Sequence, residues 1–170
     1  SALTTTLVAP GPVVIEPGGT TAVVAYGIAF HALTSGLLFA WGRQVGGLPV
    51  ACASSLLVTA NAAMLETSPS GLAEPPEIFF FTLALYGLWR FRSQPGHAGI
   101  AAAGAALGLA ALSRTNALFA APVLLGCLLI RNPERWRQTR LWLGGLTLVL
   151  APWLLRNVAL TGDPFFSLHS

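Results

Sequence analysis

The sequence predicts an all-α, polytopic membrane helix bundle of about six transmembrane helices with short loops, and three observations carry that expectation. Of 170 residues, 54% are hydrophobic and only 9% are charged, whereas a soluble domain carries about 25% charged residues. Mean hydropathy is +0.69. The apolar residues also gather in runs that are apolar on every side, without the two-residue alternation of a barrel strand.

Six such runs follow in order: Thr20 to Gly42, Gly47 to Leu65, Pro76 to Trp89, His97 to Ser113, Asn116 to Ile130 and Leu141 to Leu155. A spanning helix needs about 20 apolar residues. The first two runs meet that length. The last four are shorter and rely on interfacial residues and snorkelling arginines at their ends. The expected organisation is an outward-facing loop over 1–19, a transmembrane bundle over 20–157 and the start of a further outward-facing loop over 158–170. The chain opens on Ser1 and its first 19 residues lack the pattern of a signal peptide. It is therefore read as beginning in mid-loop.

The net charge is +3, yet there is no lysine, and the nine arginines sit in the connections between apolar runs. That is a topology signal; a nucleic-acid binder clusters base on one solvated face. If every run crosses, one side collects Arg43, Arg90, Arg92, Arg131, Arg135, Arg137 and Arg140. The other collects Glu16, Glu66, Glu74, Glu77 and Asp163. The positive-inside rule puts the arginine side in the cytoplasm. The Glu66–Glu77 loop, Arg114 and the C-terminal tail then face outward from the cytoplasmic (inner) membrane. Trp41, Trp89 and Trp142 lie beside arginines and Trp153 lies near the opposite end, as interface anchors do. The 97–130 hairpin has arginine-rich flanks on both sides, so charge leaves open whether its tip crosses fully or turns back.

Several chemistries are excluded. Cys52 and Cys127 lie inside apolar runs, with no disulfide or zinc spacing. No P-loop, Rossmann glycine pattern, HExxH or GxSxG occurs. No residue cluster reads as a metal site. Gly104 and Gly108 form a small-xxx-small spacing suited to close helix packing, within the bundle or between copies.

The candidate functional residues lie at the ends of the runs. Glu74 and Glu77 flank Pro75-Pro76 at the mouth of the third helix, suited to a substrate, a metal or a functional arginine, or simply to the helix dipole. Arg114 and Arg156 fall on the side that the charge rule depletes of arginine. A guanidinium there suits a phosphate through paired planar donors, or snorkels, or pairs with an outer-loop glutamate. His31 and Asn61 are intramembrane polar residues that serve packing or function. Glu16 is a loop carboxylate without a visible partner.

Four segments together resemble the middle of a GT-C membrane glycosyltransferase, near the protein O-mannosyltransferases and the lipid A aminoarabinose transferases. They are Gly108-Leu-Ala-Ala-Leu-Ser-Arg114, Ala151-Pro-Trp-Leu-Leu-Arg156-Asn157 with Thr161-Gly-Asp-Pro164, Gly71-Leu-Ala-Glu74-Pro, and Trp41-Gly-Arg43-Gln-Val-Gly-Gly47. The resemblance implies an inverting transferase that moves a hexosyl or pentosyl group from a polyprenyl-phosphate carrier, at the outer membrane face, to a lipid, glycan or protein acceptor. It implies Arg114 and Arg156 as lipid-phosphate ligands and Glu74 as the orienting carboxylate. The family's base sits in its first outer loop, where Glu16 is the candidate here. No organic cofactor is implied, and a divalent cation stays open. Two alternatives stand beside this reading: a transporter or permease subunit, with polar residues converging at the bilayer midplane, and a non-catalytic membrane assembly protein. Abundant Arg, Ala and Gly without lysine suggest a bacterial cell-envelope protein from a GC-rich genome.

Overall fold

A computed structural model of the chain describes residues 17–61, 74–91, 97–130 and 135–164. Within them the fold is wholly helical. It comprises α1 (Pro17–Thr59), α2 (Glu74–Phe91), α3 (His97–Ser113), a 3-10 helix (Thr115–Ala120), α4 (Ala121–Ile130) and α5 (Arg135–Thr161).

The first of these is a hairpin. Gly46 and Gly47 leave helical geometry, and Gly47 adopts φ 74° and ψ −161°. Only glycine occupies that region without strain. The arms 17–45 and 48–59 then pack antiparallel. Ser54 Oγ donates to the Leu38 carbonyl at 3.2 Å, and the Ser35 and Thr59 hydroxyls meet at 2.9 Å. A Cβ on Gly42 would stand 2.7 Å from Ala51 Cα, so this glycine sets the closeness of the arms. Pro49 falls in the first turn of the second arm, where its missing N–H leaves no helical bond unmade. Gly47→Ala is expected to destabilise the protein by about 1–3 kcal/mol, read as a lower unfolding midpoint in detergent. An unchanged midpoint would show that the turn tolerates a side chain.

α2 runs alongside the first arm in the same direction. Phe30 packs on Phe79 and Phe80 toward one end, with centroids 5.5 and 5.6 Å apart. Trp41 packs on Tyr86 and Trp89 toward the other, at 5.9 and 6.0 Å. α3 returns antiparallel to α2, with Gly87 facing Ala103. The 3-10 helix and α4 turn back again, bringing Leu124 and Leu128 beside Leu85 and Leu88. α5 then runs parallel to α3. α3 is the central element, with Ile100, Leu107 and Ala110 all but inaccessible.

The α3–α5 seam is built on reciprocal glycines. A Cβ on Gly104 would collide with the Trp142 carbonyl oxygen, and one on Gly145 with the Ala101 carbonyl oxygen. Gly108 sits against Val149. Removing the side chains lets the backbones touch, which is how small residues drive helix pairing in lipid. The Gly104/Gly108 spacing is therefore spent inside the chain.

Charged and polar ends replace a polar coat. Phe119, Leu57 and Leu148 are about three-quarters exposed or more, and such an apolar exterior requires lipid as solvent. Ala22–Thr59 and Trp136–Thr161 are long and apolar enough to cross a membrane by length and composition. The reversal at Gly46–Gly47 divides the first of them. Its second arm spans about 18 Å at 1.5 Å per residue, against a hydrocarbon core of about 30 Å. This arm ends at Thr59, with Ala60 and Asn61 in a turn, earlier than the apolar run to Leu65 predicts. By contrast α5 outgrows the run Leu141–Leu155 at both ends. It closes on Gly162 (φ 77°), whose N–H reaches the Val158 carbonyl at 2.9 Å, a glycine cap.

The tryptophans correct one expectation. Trp142 is no interface anchor: it is fully buried inside the bundle. Trp136, two-thirds exposed, stands at that end instead. His31 is buried among the helices, and Cys52 and Cys127 are free thiols on the exposed surface.

Candidate functional site

The alternating directions sort the described charges to two ends. Arg43, Arg90, Arg137 and Arg140 stand at one end, near the Gly46–Gly47 turn and the start of α5. Glu74, Glu77, Arg114, Arg156 and Asp163 stand at the other. The tip of the 97–130 hairpin reaches this carboxylate end, because Arg114 and Trp153 line one cavity there.

α2 begins Glu74-Pro75-Pro76-Glu77. Prolines in a first turn forfeit no helical bond, and both carboxylates face the positive end of the helix dipole. Their three-residue spacing puts them on one face. Across from them α3 ends at Ser113, and the Arg114 N–H closes the helix on the Ala110 carbonyl at 2.9 Å. Arg114 itself is extended, at φ −147° and ψ 126°. Thr115 and Asn116, whose side chains compete for backbone bonds, open the 3-10 helix. That break lets the guanidinium leave the bundle sideways toward α2.

The resulting geometry is an ion-paired fork. Arg114 Nη1 donates to Glu74 Oε1 at 2.5 Å, and Arg114 Nε lies 3.8 Å from Glu77 Oε2. The two carboxylate side chains are half-buried while the arginine is 41% exposed, and the guanidinium keeps donors beyond these two contacts. Arg114 also lines an open cavity of about 400 Å³. Arg114, Ser113, Thr115 and Asn116 supply its polar wall and Trp153 an aromatic one.

The structure thus brings Arg114 and Glu74 together. It leaves Arg156 outside the cavity wall, exposed, about 4.5 Å further along α5 than Trp153. Among the described residues no carboxylate ion-pairs with Arg156. Beyond it the helix end is tied down by Asn157 Nδ2, which donates to the Pro164 carbonyl at 3.2 Å, and by the Thr161 hydroxyl on the Asn157 carbonyl at 2.8 Å. Glu16 and Glu66 lie outside the described residues. Among the described residues no three His, Cys, Asp or Glu side chains gather to hold a metal ion.

Sequence reasoning underused two residues. Glu77 is the second carboxylate on Arg114, and its position three residues after Glu74 was the signal. Trp153 reads as an interface anchor by sequence, yet it stands three residues before Arg156 and walls the cavity with Arg114.

An apolar-sided helical bundle with glycine-seamed helices and charge confined to its ends defines a membrane protein. The chain belongs to the dolichyl-phosphate-mannose-protein mannosyltransferase family, whose model matches residues 11–161; its members are membrane glycosyltransferases of the GT-C type. Comparison with the curated proteins and with the solved structures found no match. The family does not favour the transporter or assembly readings.

Proposed function

We propose that this chain carries the lipid-phosphate side of a GT-C active site, taking mannose or a similar sugar from a polyprenyl-phosphate carrier to a protein hydroxyl. In this reading the helical segments are embedded in the cytoplasmic membrane and the carboxylate end faces outward. The observation that carries it is the Arg114 fork, held by Glu74 and Glu77, on a residue that lines a cavity together with Trp153.

The chemistry asks for such a group. The acceptor oxygen forms a bond to the sugar's anomeric carbon as the bond from that carbon to the carrier phosphate breaks. The electron pair leaves with the phosphate, and the acceptor proton passes to a carboxylate base. Glu16 is the candidate for that base. Guanidinium donors already fixed in place stabilise the charge growing on the phosphate without reorganising. Glu74 and Glu77 supply the fixing, since a guanidinium pinned at two nitrogens keeps its remaining donors aimed.

Net charge does not attract the phosphate here, because Glu74, Glu77 and Asp163 outnumber Arg114 and Arg156 at this end. Short-range donor geometry has to do so, and Arg156, about one turn beyond Trp153 on α5, is the further donor assigned to the phosphate. Arg156→Glu is therefore expected to weaken binding of polyprenyl-phosphate mannose by about tenfold or more, the worth of one charge-assisted hydrogen bond. Titration of the purified protein in detergent reads it. Unaltered affinity would remove Arg156 from the site.

A further inference from the structure

The arginine end carries a feature that the transfer reaction does not use. Between the two arms of α1 and the end of α2 lies an open groove of about 360 Å³, walled by Leu38, Trp41, Val45, Val50 and Trp89. Besides the indole N–H groups of Trp41 and Trp89, its polar side chain is Ser54, which spends its hydroxyl on the Leu38 and Ala51 carbonyls. The groove is thus predominantly apolar. It runs about 12 Å inward from the Gly46–Gly47 turn, by helix rise from Gly46 to Leu38.

A specific polar cluster stands at the same end, on residues next in the chain to the groove-lining Val45 and Trp89. Arg90, the residue after Trp89, donates through Nη1 to Gln44 Oε1 at 2.9 Å and to the Tyr86 hydroxyl at 3.0 Å. Gln44 Nε2 donates to the same hydroxyl at 2.9 Å. The guanidinium lies 5.9 Å from the centroids of the Tyr86 and Phe91 rings. Every partner of Arg90 here is neutral. Arg43, Arg137 and Arg140 share this end, and among the described residues no carboxylate does. Glu134, the one acid that the sequence places on this side, lies outside the described residues.

From this we propose that the groove is a binding site for an anionic phospholipid of the surrounding bilayer. One acyl chain lies in the groove along Trp41 and Trp89, on the outer surface of the closely packed α1 arms, and the headgroup phosphate accepts from Arg90. Charge complementarity selects the occupant. An apolar groove alone would take any lipid chain, whereas a guanidinium held by neutral partners, with no carboxylate beside it among the described residues, selects a negative headgroup. Basic pockets between membrane helices bind such headgroups. The site is at the opposite end from Arg114, so it stands or falls independently of the transfer reading.

Native mass spectrometry of the detergent-purified protein tests it, with phosphatidylglycerol and phosphatidylcholine added at equal concentration. Phosphatidylglycerol is expected to be retained preferentially. Arg90→Gln should lower that retention about fivefold, the worth of one arginine near an anionic surface. Val45→Trp, which fills the groove and leaves every arginine in place, should lower retention of both lipids. Arg140→Gln removes the same charge from the same end and should change little. Equal retention of the two lipids by the unmodified protein overturns the proposal. So does an Arg140→Gln effect as large as that of Arg90→Gln, which would mean diffuse surface attraction. Normal retention by Val45→Trp would overturn the groove as the site. Helicity measured by circular dichroism on each variant separates lost binding from lost folding.

Discussion

Gly145→Val is expected to separate α3 from α5 and to destabilise the protein by about 3 kcal/mol, at or beyond the upper end of ordinary overpacking. The reason is what the new side chain meets. A Cβ on Gly145 lands on the backbone carbonyl of Ala101, and one on Gly104 lands on that of Trp142. A flexible side chain could rotate away; a carbonyl locked in a helix cannot. Gly104→Val should therefore cost as much. The double variant should cost less than the sum, because the first substitution already parts the shared interface. Gly144 supplies the control. It precedes Gly145 on the same helix, and a Cβ there meets nothing within 4 Å. Gly144→Ala should be neutral or slightly stabilising, given alanine's higher helix propensity. Unfolding midpoints in detergent check these four variants together with Gly144→Val. If Gly144→Val and Gly145→Val behaved alike, helix propensity and not the seam would be setting the stability.

Loss of the Arg114 guanidinium is expected to have the largest effect on activity. Arg114→Gln should lower the rate of sugar transfer from a polyprenyl-phosphate donor by about 10²–10³-fold, as removal of one preorganised donor to a developing oxyanion does in other enzymes. Arg114→Lys should recover little of it. An ammonium can meet Glu74, yet it cannot hold Glu74 and Glu77 through separate nitrogens and still aim planar donors into the cavity. Glu74→Gln should be milder, since an amide oxygen still accepts from Nη1 and Glu77 still steadies the fork. The rates should be read beside unfolding midpoints on the same variants. A fall in activity with an unchanged midpoint assigns Arg114 to the chemistry. Parallel falls in both would make the Arg114–Glu74 pair a clamp between α2 and α3 instead.

Helical class and lipid solvent were legible in the sequence because both follow from composition and run length, which need no tertiary information. Legible too was the sorting of charge to two ends, since arginines and glutamates sit in alternating connections and hydrophobic runs fix which connections share a side. Arg114 and Glu74 stood out for the same reason. Their pairing was another matter. They are 40 residues apart, and only the antiparallel packing of α2 on α3, with the extended backbone at Arg114, swings the guanidinium onto the carboxylates. The role of Glu77 and the entry of Trp153 into the cavity wall depend on the same packing. The fate of Trp142 shows the limit most clearly. A tryptophan near Arg140 has the local signature of an interface anchor, yet the indole is buried, on a helix whose backbone at this residue seats against Gly104 of α3, 38 residues earlier. Local chemistry determines which residues favour an interface; only the facing helix decides whether a side chain meets lipid or core.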